Sequence, residues 1–330
     1  MQKPDMPPMR LASEVEDALS GYDAEQRPVV ALESTVLSHG LPFPDNLEAM
    51  RGMCASLREA GAIPAVIAVA GGQVVIGADE NLLQELARAE SVGKINLSNM
   101  ATALARGALG ATTVAASLWI AASQGIRVFV TGGIGGRHRP SKRTEHDVSS
   151  DLHALSRFPV LTVCAGVKSI LDVVGTRETL ETLGVPIIGY RADTLPLFIS
   201  PPGDAPVDER IDRPELIARV ARLHWSLGGA GVLATVPCPA DVAIPSNIIE
   251  KLLAEIENEM PEEIARDGRR ATPWLLRAMD ERTDGASRAA NIALLLNNAR
   301  VGGQIATHIA RAGREADIST DRARAYREPI

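Results

Sequence analysis

Aromatic residues are scarce: three Trp, three Tyr and four Phe amount to 3% of the 330 residues, and no run of Lys and Arg builds a basic surface. With a formal charge of −7, this composition opposes a nucleic-acid surface, which needs cations for phosphates and rings for base stacking. Cysteine is nearly missing. Cys54, Cys164 and Cys238 lie far apart without a CxxC pair, which excludes a disulfide framework or thiolate zinc site and predicts a reducing, cytoplasmic setting. No segment stays apolar for the ~20 residues that a membrane helix needs. Glu14, Glu16, Asp17, Asp23 and Glu25 interrupt the first 28 residues, so neither membrane contact nor a secretory signal is expected.

Lysine is the other rarity. Lys3, Lys94, Lys142, Lys168 and Lys251 are the only ones, leaving 29 of the 34 basic residues as arginine. Arginine supplies the ordinary surface charge, so a lysine within an apolar stretch points to amine chemistry that a guanidinium cannot perform. Lys94 and Lys168 are the two such candidates.

What is present is a βα alternation. The apolar run 29–32 follows Pro28, and Asp45 caps an amphipathic helix over 46–60. The runs 66–69 and 74–76 flank a Gly-Gly turn as a hairpin, followed by a helix over 80–89, with Lys94 in a loop. A helix over 114–124 leads to a strand at 128–131 ending in Gly132-Gly133-Ile134-Gly135-Gly136. A polar loop with His138, Arg139, Lys142 and Arg143 precedes a helix near 147–156, a strand at 160–164 and a helix beginning around Lys168. Strands at 186–190 and 232–236 bracket a helix at 214–227, and from Asn247 the pattern is helical. This predicts an α/β fold: a mainly parallel sheet with helices on both faces and a helical C-terminal part. Residues 1–27 form an N-terminal extension with a first helix, 28–314 a single domain, and 315–330 a flexible tail.

In such sheets ligands gather beyond the C-terminal strand ends, where Glu33, the GGIGG turn and Lys168 fall. Glu33 at the mouth of a buried sheet can hold a raised pKa and donate a proton, or it can cap a helix or pair with an arginine. Lys168, flanked by apolar residues, can present a free amine for imine formation, or extend its head to water. Lys94 can meet a phosphate or sugar oxygen as a point charge, or be a solvated loop residue. The GGIGG run lacks the spacing of a dinucleotide or P-loop motif and is a turn first. Asp147 and Asp151 share one face if helical, beside Ser149 and Ser150, and suit a hydrated Mg²⁺ or Mn²⁺, or simply a first-turn dipole.

Six stretches in order resemble the pseudouridine-5′-phosphate glycosidase family: VALESTVLSHGLPFPDN (30–46), GATTVAAS (110–117), VFVTGGIGGRHR (128–139), DVSSDL (147–152), VCAGVKSILD (163–172) and GVPIIGYR (184–191). The helical NIALLLNNA (291–299) fits its C-terminal part. The resemblance implies a trimeric α/β/α enzyme that reversibly cleaves pseudouridine 5′-phosphate to uracil and ribose 5-phosphate with one divalent metal per subunit, usually Mn²⁺. Residue by residue, it implies Lys168 as nucleophile, Glu33 as proton donor and Asp147 as metal ligand. Asp151 is implied as a further acid/base group, and Lys94, Thr113, Val114, Ser149 and Ser150 as substrate contacts. His138 and Asn291 are implied near the uracil or sugar phosphate. Where the family often has an HxGAEHTFD loop, this chain reads HRPSKRTEHD, so His146 takes no family role. A homotrimer and a separate pseudouridine kinase are the expected partners.

The bond joining ribose C1′ to uracil C5 offers no lone pair, so two carboxylates do not suffice. The expected route opens the ribose with acid assistance from Glu33, adds Lys168 at C1′, protonates C5 through Asp151 or a water, and hydrolyses the imine. A lysine-dependent aldolase, a nucleoside hydrolase and a non-catalytic phosphosugar-binding regulator are the competing readings.

Overall fold

A computed structural model describes residues 6–139, 147–265 and 268–325. Lys142, Arg143 and His146 of the polar loop lie outside the described residues. At the centre is a run of parallel strands in the order Ile63–Ala70, Val29–Leu32, Val128–Val130, Leu161–Cys164, Val232–Thr235, Ile187–Tyr190 and Glu209–Ile211. Every residue of Val29–Leu32, Val128–Val130, Leu161–Cys164 and Val232–Thr235 is buried. Side chains alternate between faces, so unbroken burial requires cover on both.

Gln73–Ile76 returns antiparallel on Ile63–Ala70 as the expected hairpin. Met9–Leu11 pairs with Gln73–Ile76, which ties the N-terminal segment into the sheet, and Gly110–Thr112 adds antiparallel to Ile63–Ala70 with Gly93–Ile95 beside it. Lys94 therefore sits in a short strand rather than a loop.

The helix Ala286–Ala325 packs along Asp45–Glu59 and Pro214–Ser226 and over the central strands. Two glycines mark the closest approach: a Cβ on Gly302 would lie 2.4 Å from Val130 Cγ2, and one on Gly303 2.6 Å from Ala60 Cβ. Each glycine costs a helix about 1 kcal/mol relative to alanine, and the packing it permits offsets that cost. Val114–Ser123 packs against Ser150–Arg157 and on Val29–Leu32 and Val128–Val130.

Three local helix expectations change. Asp45 is the first helical residue after Pro44, not the cap, and its carboxylate pairs with Arg288 at 2.7 Å. The helix expected from Asp147 is Ser150–Arg157, capped by Ser149, whose Oγ accepts from the Asp151 N–H, so Asp147 and Asp151 do not share a helix face. The helix expected from Lys168 is Val173–Thr182, capped by Asp172, whose Oδ1 accepts from the Gly175 N–H at 2.9 Å. Helical backbone runs to Ala325.

Candidate active site

Glu33 directly follows Val29–Leu32, Thr131 follows Val128–Val130, and Lys168 lies four residues past Leu161–Cys164. These strands are neighbours, so one turn of chain beyond each delivers an acid, a hydroxyl and an amine to the same end of the sheet. They line a cavity of about 440 Å³. Lys94, Thr113, Val114, His138, Asp147, Ser149, Ser150, Asp151 and Asn291 line it as well, so the structure gathers all eleven residues singled out from the sequence.

Glu33 is 4% exposed. Its two carboxylate oxygens accept from the Thr131 and Thr35 hydroxyls. Burial raises its pKa above the ordinary value; the Lys168 charge and the two hydroxyl donors oppose that rise, and the Asp151 charge adds to it.

Lys168 is half-buried on a loop pinned from two sides. On one, the Ala165 N–H donates to the Gly132 carbonyl at 2.8 Å, Ile134 N–H to Gly166 at 3.0 Å and Lys168 N–H to Ile134 at 3.3 Å. On the other, the Phe198 N–H donates to Ala165 at 3.0 Å and the Ser169 hydroxyl to Leu197 at 2.8 Å. Gly166 adopts φ +78°, and a Cβ there would lie 2.2 Å from the Pro196 carbonyl oxygen, so glycine is required on both counts. The loop that carries the amine is thus held by main-chain bonds.

Asp151 is buried and tethered: Oδ1 accepts from the Ala115 N–H at 3.0 Å and Oδ2 from the Gly135 N–H at 2.9 Å. It ties the first turn of Val114–Ser123 to the GGIGG run, and each oxygen keeps a further lone pair. Gly135 is glycine because a Cβ would meet Ser149 Oγ at 2.4 Å and Asp151 Oδ2 at 2.8 Å. Close packing thus requires glycine at that position of the run.

Asp147 is half-exposed at the rim, its carboxylate 3.6 Å from His138 Nε2. Among the described residues no group of three or more His, Cys, Asp and Glu side chains converges as a metal cage. One carboxylate with a neighbouring imidazole suits only an open site, which fits a divalent ion that keeps most of its waters.

Two further cavity residues, Asn96 and His39, are not among those singled out from the sequence. Asn96 and Ser150 hydrogen-bond each other, with Asn96 Nδ2 2.8 Å from Ser150 Oγ. His39 lies in the single π-turn Val36–Gly40, a conformation with no periodic signature, and its Nδ1 is 2.5 Å from Ser38 Oγ. Burial first, and Lys94 second, push the His39 pKa down to about 4. An unfolded histidine binds a proton near 6.5, so between those values the unfolded chain holds the extra proton and stability falls as the pH drops. His39→Gln is expected to lessen acid destabilisation between pH 6.5 and 4 by on the order of 2 kcal/mol, read from urea midpoints. Parallel pH curves for both proteins would refute the buried neutral imidazole.

A family profile described as "Indigoidine synthase A like protein" matches residues 14–308. The chain is 45% identical over 307 residues to a pseudouridine-5′-phosphate glycosidase of Myxococcus xanthus, covering 92% of this chain and 99% of that one. It is 42% identical to one from Caldanaerobacter subterraneus subsp. tengcongensis, covering 93% and 98%. The crystal structure of the prealnumycin C-glycosynthase AlnA in complex with ribulose 5-phosphate superposes with a TM-score of 0.83 at 37% identity, over 94% of this chain and 100% of that one. An indigoidine synthase A-like protein of Thermotoga maritima gives 0.83 at 33%, over 94% and 99%.

Proposed function

The chain belongs to the indigoidine synthase A like family, and on that premise we propose that it is a pseudouridine-5′-phosphate glycosidase, releasing uracil and ribose 5-phosphate from a C-glycoside. The observation that carries the reading is the meeting of Glu33 and Lys168 at adjacent strand ends in one cavity, close enough for the amine's charge to act on the carboxyl. Cleaving a carbon–carbon glycosidic bond needs a nucleophile that can later push electrons out, and only an amine does both. A lysine beside a buried acid favours that chemistry over a conventional nucleoside hydrolase.

In the proposed sequence Glu33 gives a proton to the ribose ring oxygen as the C1′–O4′ bond breaks, with the uracil ring supplying conjugation at C1′. Lys168, having lost its proton, adds to C1′. Glu33, with its raised proton affinity, is the neighbouring acceptor for protons moving at this step. The adduct nitrogen gives up a proton, which passes through Asp151 or a water to C5; the C1′–C5 electrons return to the uracil ring as the lysine nitrogen forms the imine. Water then hydrolyses the imine and frees ribose 5-phosphate. Lys94, Thr113, Val114, Ser149, Ser150, His138 and Asn291 form the binding walls, their polar groups serving the sugar, phosphate and base.

Asp147, with His138 beside it, would hold a divalent ion, Mn²⁺ in this proposal, one per subunit. Such an ion supplies positive charge to substrate oxygens. Asp147→Ala is expected to raise the Mn²⁺ needed for half-maximal rate by about tenfold or more, and a chelator to abolish turnover. Full activity after chelation would remove the metal from the proposal. A homotrimer, and a separate kinase that phosphorylates pseudouridine, complete the reading.

The deciding assay follows uracil release from pseudouridine 5′-phosphate by the purified chain. Absence of uracil with and without Mn²⁺ would reject the glycosidase, and release of a shorter sugar fragment would instead support an aldolase.

A further inference from the structure

We propose that Asn298 is a positioning residue that fixes the Glu33 acid through Thr131. Its side chain is fully buried, and Nδ2 donates to the Thr131 carbonyl at 2.9 Å and the Gly132 carbonyl at 3.3 Å. Turning the amide over would set an oxygen against two carbonyl oxygens, so its orientation is dictated by chemistry. The Thr131 hydroxyl in turn donates to Glu33 Oε1, and the Thr131 N–H donates to the Val163 carbonyl at 3.0 Å. Asn298 therefore holds the main chain of the residue whose side chain holds the acid. On the helix Ala286–Ala325 it continues the face of Asn291 and Leu295, which line the cavity, at the i, i+4, i+7 spacing.

The other end of the amide argues that this is not simply core packing. Among the described residues Asn298 Oδ1 is buried with no hydrogen-bond partner, which opposes stability. A leucine would fill a similar volume and remove that orphaned acceptor, but it would take the donor away from the Thr131 carbonyl. An amide kept for its donor end while its acceptor end goes unmet, one residue removed from the acid, is the pattern of a site that is supported from behind.

The proposal rests on the glycosidase reading for the step that Glu33 performs, and its test separates the two. In Asn298→Leu, kcat for pseudouridine 5′-phosphate measured well below the melting temperature is expected to fall about tenfold or more, with KM held within about twofold and the melting temperature lowered modestly by the lost bond to the Thr131 carbonyl. Unchanged kcat, or a loss that tracks melting temperature alone, would overturn it. Asn298→Asp, of the same shape but without the donor, provides the comparison if the leucine variant does not fold. An infrared band assigned to the Glu33 carboxyl group by its loss in Glu33→Gln should shift in either variant, whatever the substrate. An unmoved band rejects the positioning role; a moved band in a wild-type chain that releases no uracil rejects the glycosidase and leaves the positioning role standing.

Discussion

Lys168→Arg is expected to lower kcat by about 10⁴-fold or more, although it keeps the positive charge and most of the side-chain length. A guanidinium remains protonated at any working pH and has no lone pair to offer C1′, whereas binding through charge survives the exchange. KM should therefore change far less than kcat. The loop itself should persist, because its bonds to Gly132, Ile134, Leu197 and Phe198 come from the main chain and from Ser169 rather than from the amine. Borohydride added during wild-type turnover should reduce the imine and leave a ribose phosphate mass on the peptide containing Lys168. A label on another lysine, or an arginine variant with retained turnover, would transfer the nucleophile elsewhere or dispense with it.

The central strands were legible because a sheet covered on both faces spells each strand as an unbroken apolar run, as in Val29–Leu32 and Val232–Thr235. Lys168 stood out because lysine is rare here, and Glu33 because a carboxylate ends a buried strand. Boundaries set by tertiary contacts were not legible. Asp147 and Asp151 have helical spacing, yet Ser149 lies between them as the cap, and the sequence D-V-S-S-D offers several residues able to start a helix. The apolar residues around Lys168 mimic a helix, but Gly166 with its positive φ and the bonds to the GGIGG run and to Leu197 and Phe198 hold an extended loop there. His39 was hidden in a π-turn, and Asn298 in an apolar helix face where a single amide reads as noise. What sequence pattern conveys is burial and period; what it omits is which distant main-chain group a polar side chain meets.

Glu33→Gln separates the acid's chemistry from its cost to the fold. The glutamine amide fits between the same two hydroxyls, since a hydroxyl rotates to accept as readily as it donates. It cannot exchange the proton, so kcat is expected to fall by about 10²–10⁴-fold. Stability should move the other way. The folded pKa of Glu33 is raised by burial above the ordinary 4.5, so above 4.5 and up to that raised value the folded chain binds the proton that the unfolded chain has lost. Over that window stability falls as pH rises: the contribution of the protonated acid is fully present below 4.5 and is lost on passing through the folded pKa. Glutamine is neutral in both states and escapes that loss. The melting temperature of the variant relative to wild type should therefore climb from pH 4 to pH 8, leaving an inactive protein that is the more stable of the two at neutral pH. A variant that loses stability relative to wild type over that range would mean that the ionised carboxylate is the favoured folded form, stabilised by Lys168 more than burial opposes it, and Glu33 could not then serve as the proton donor.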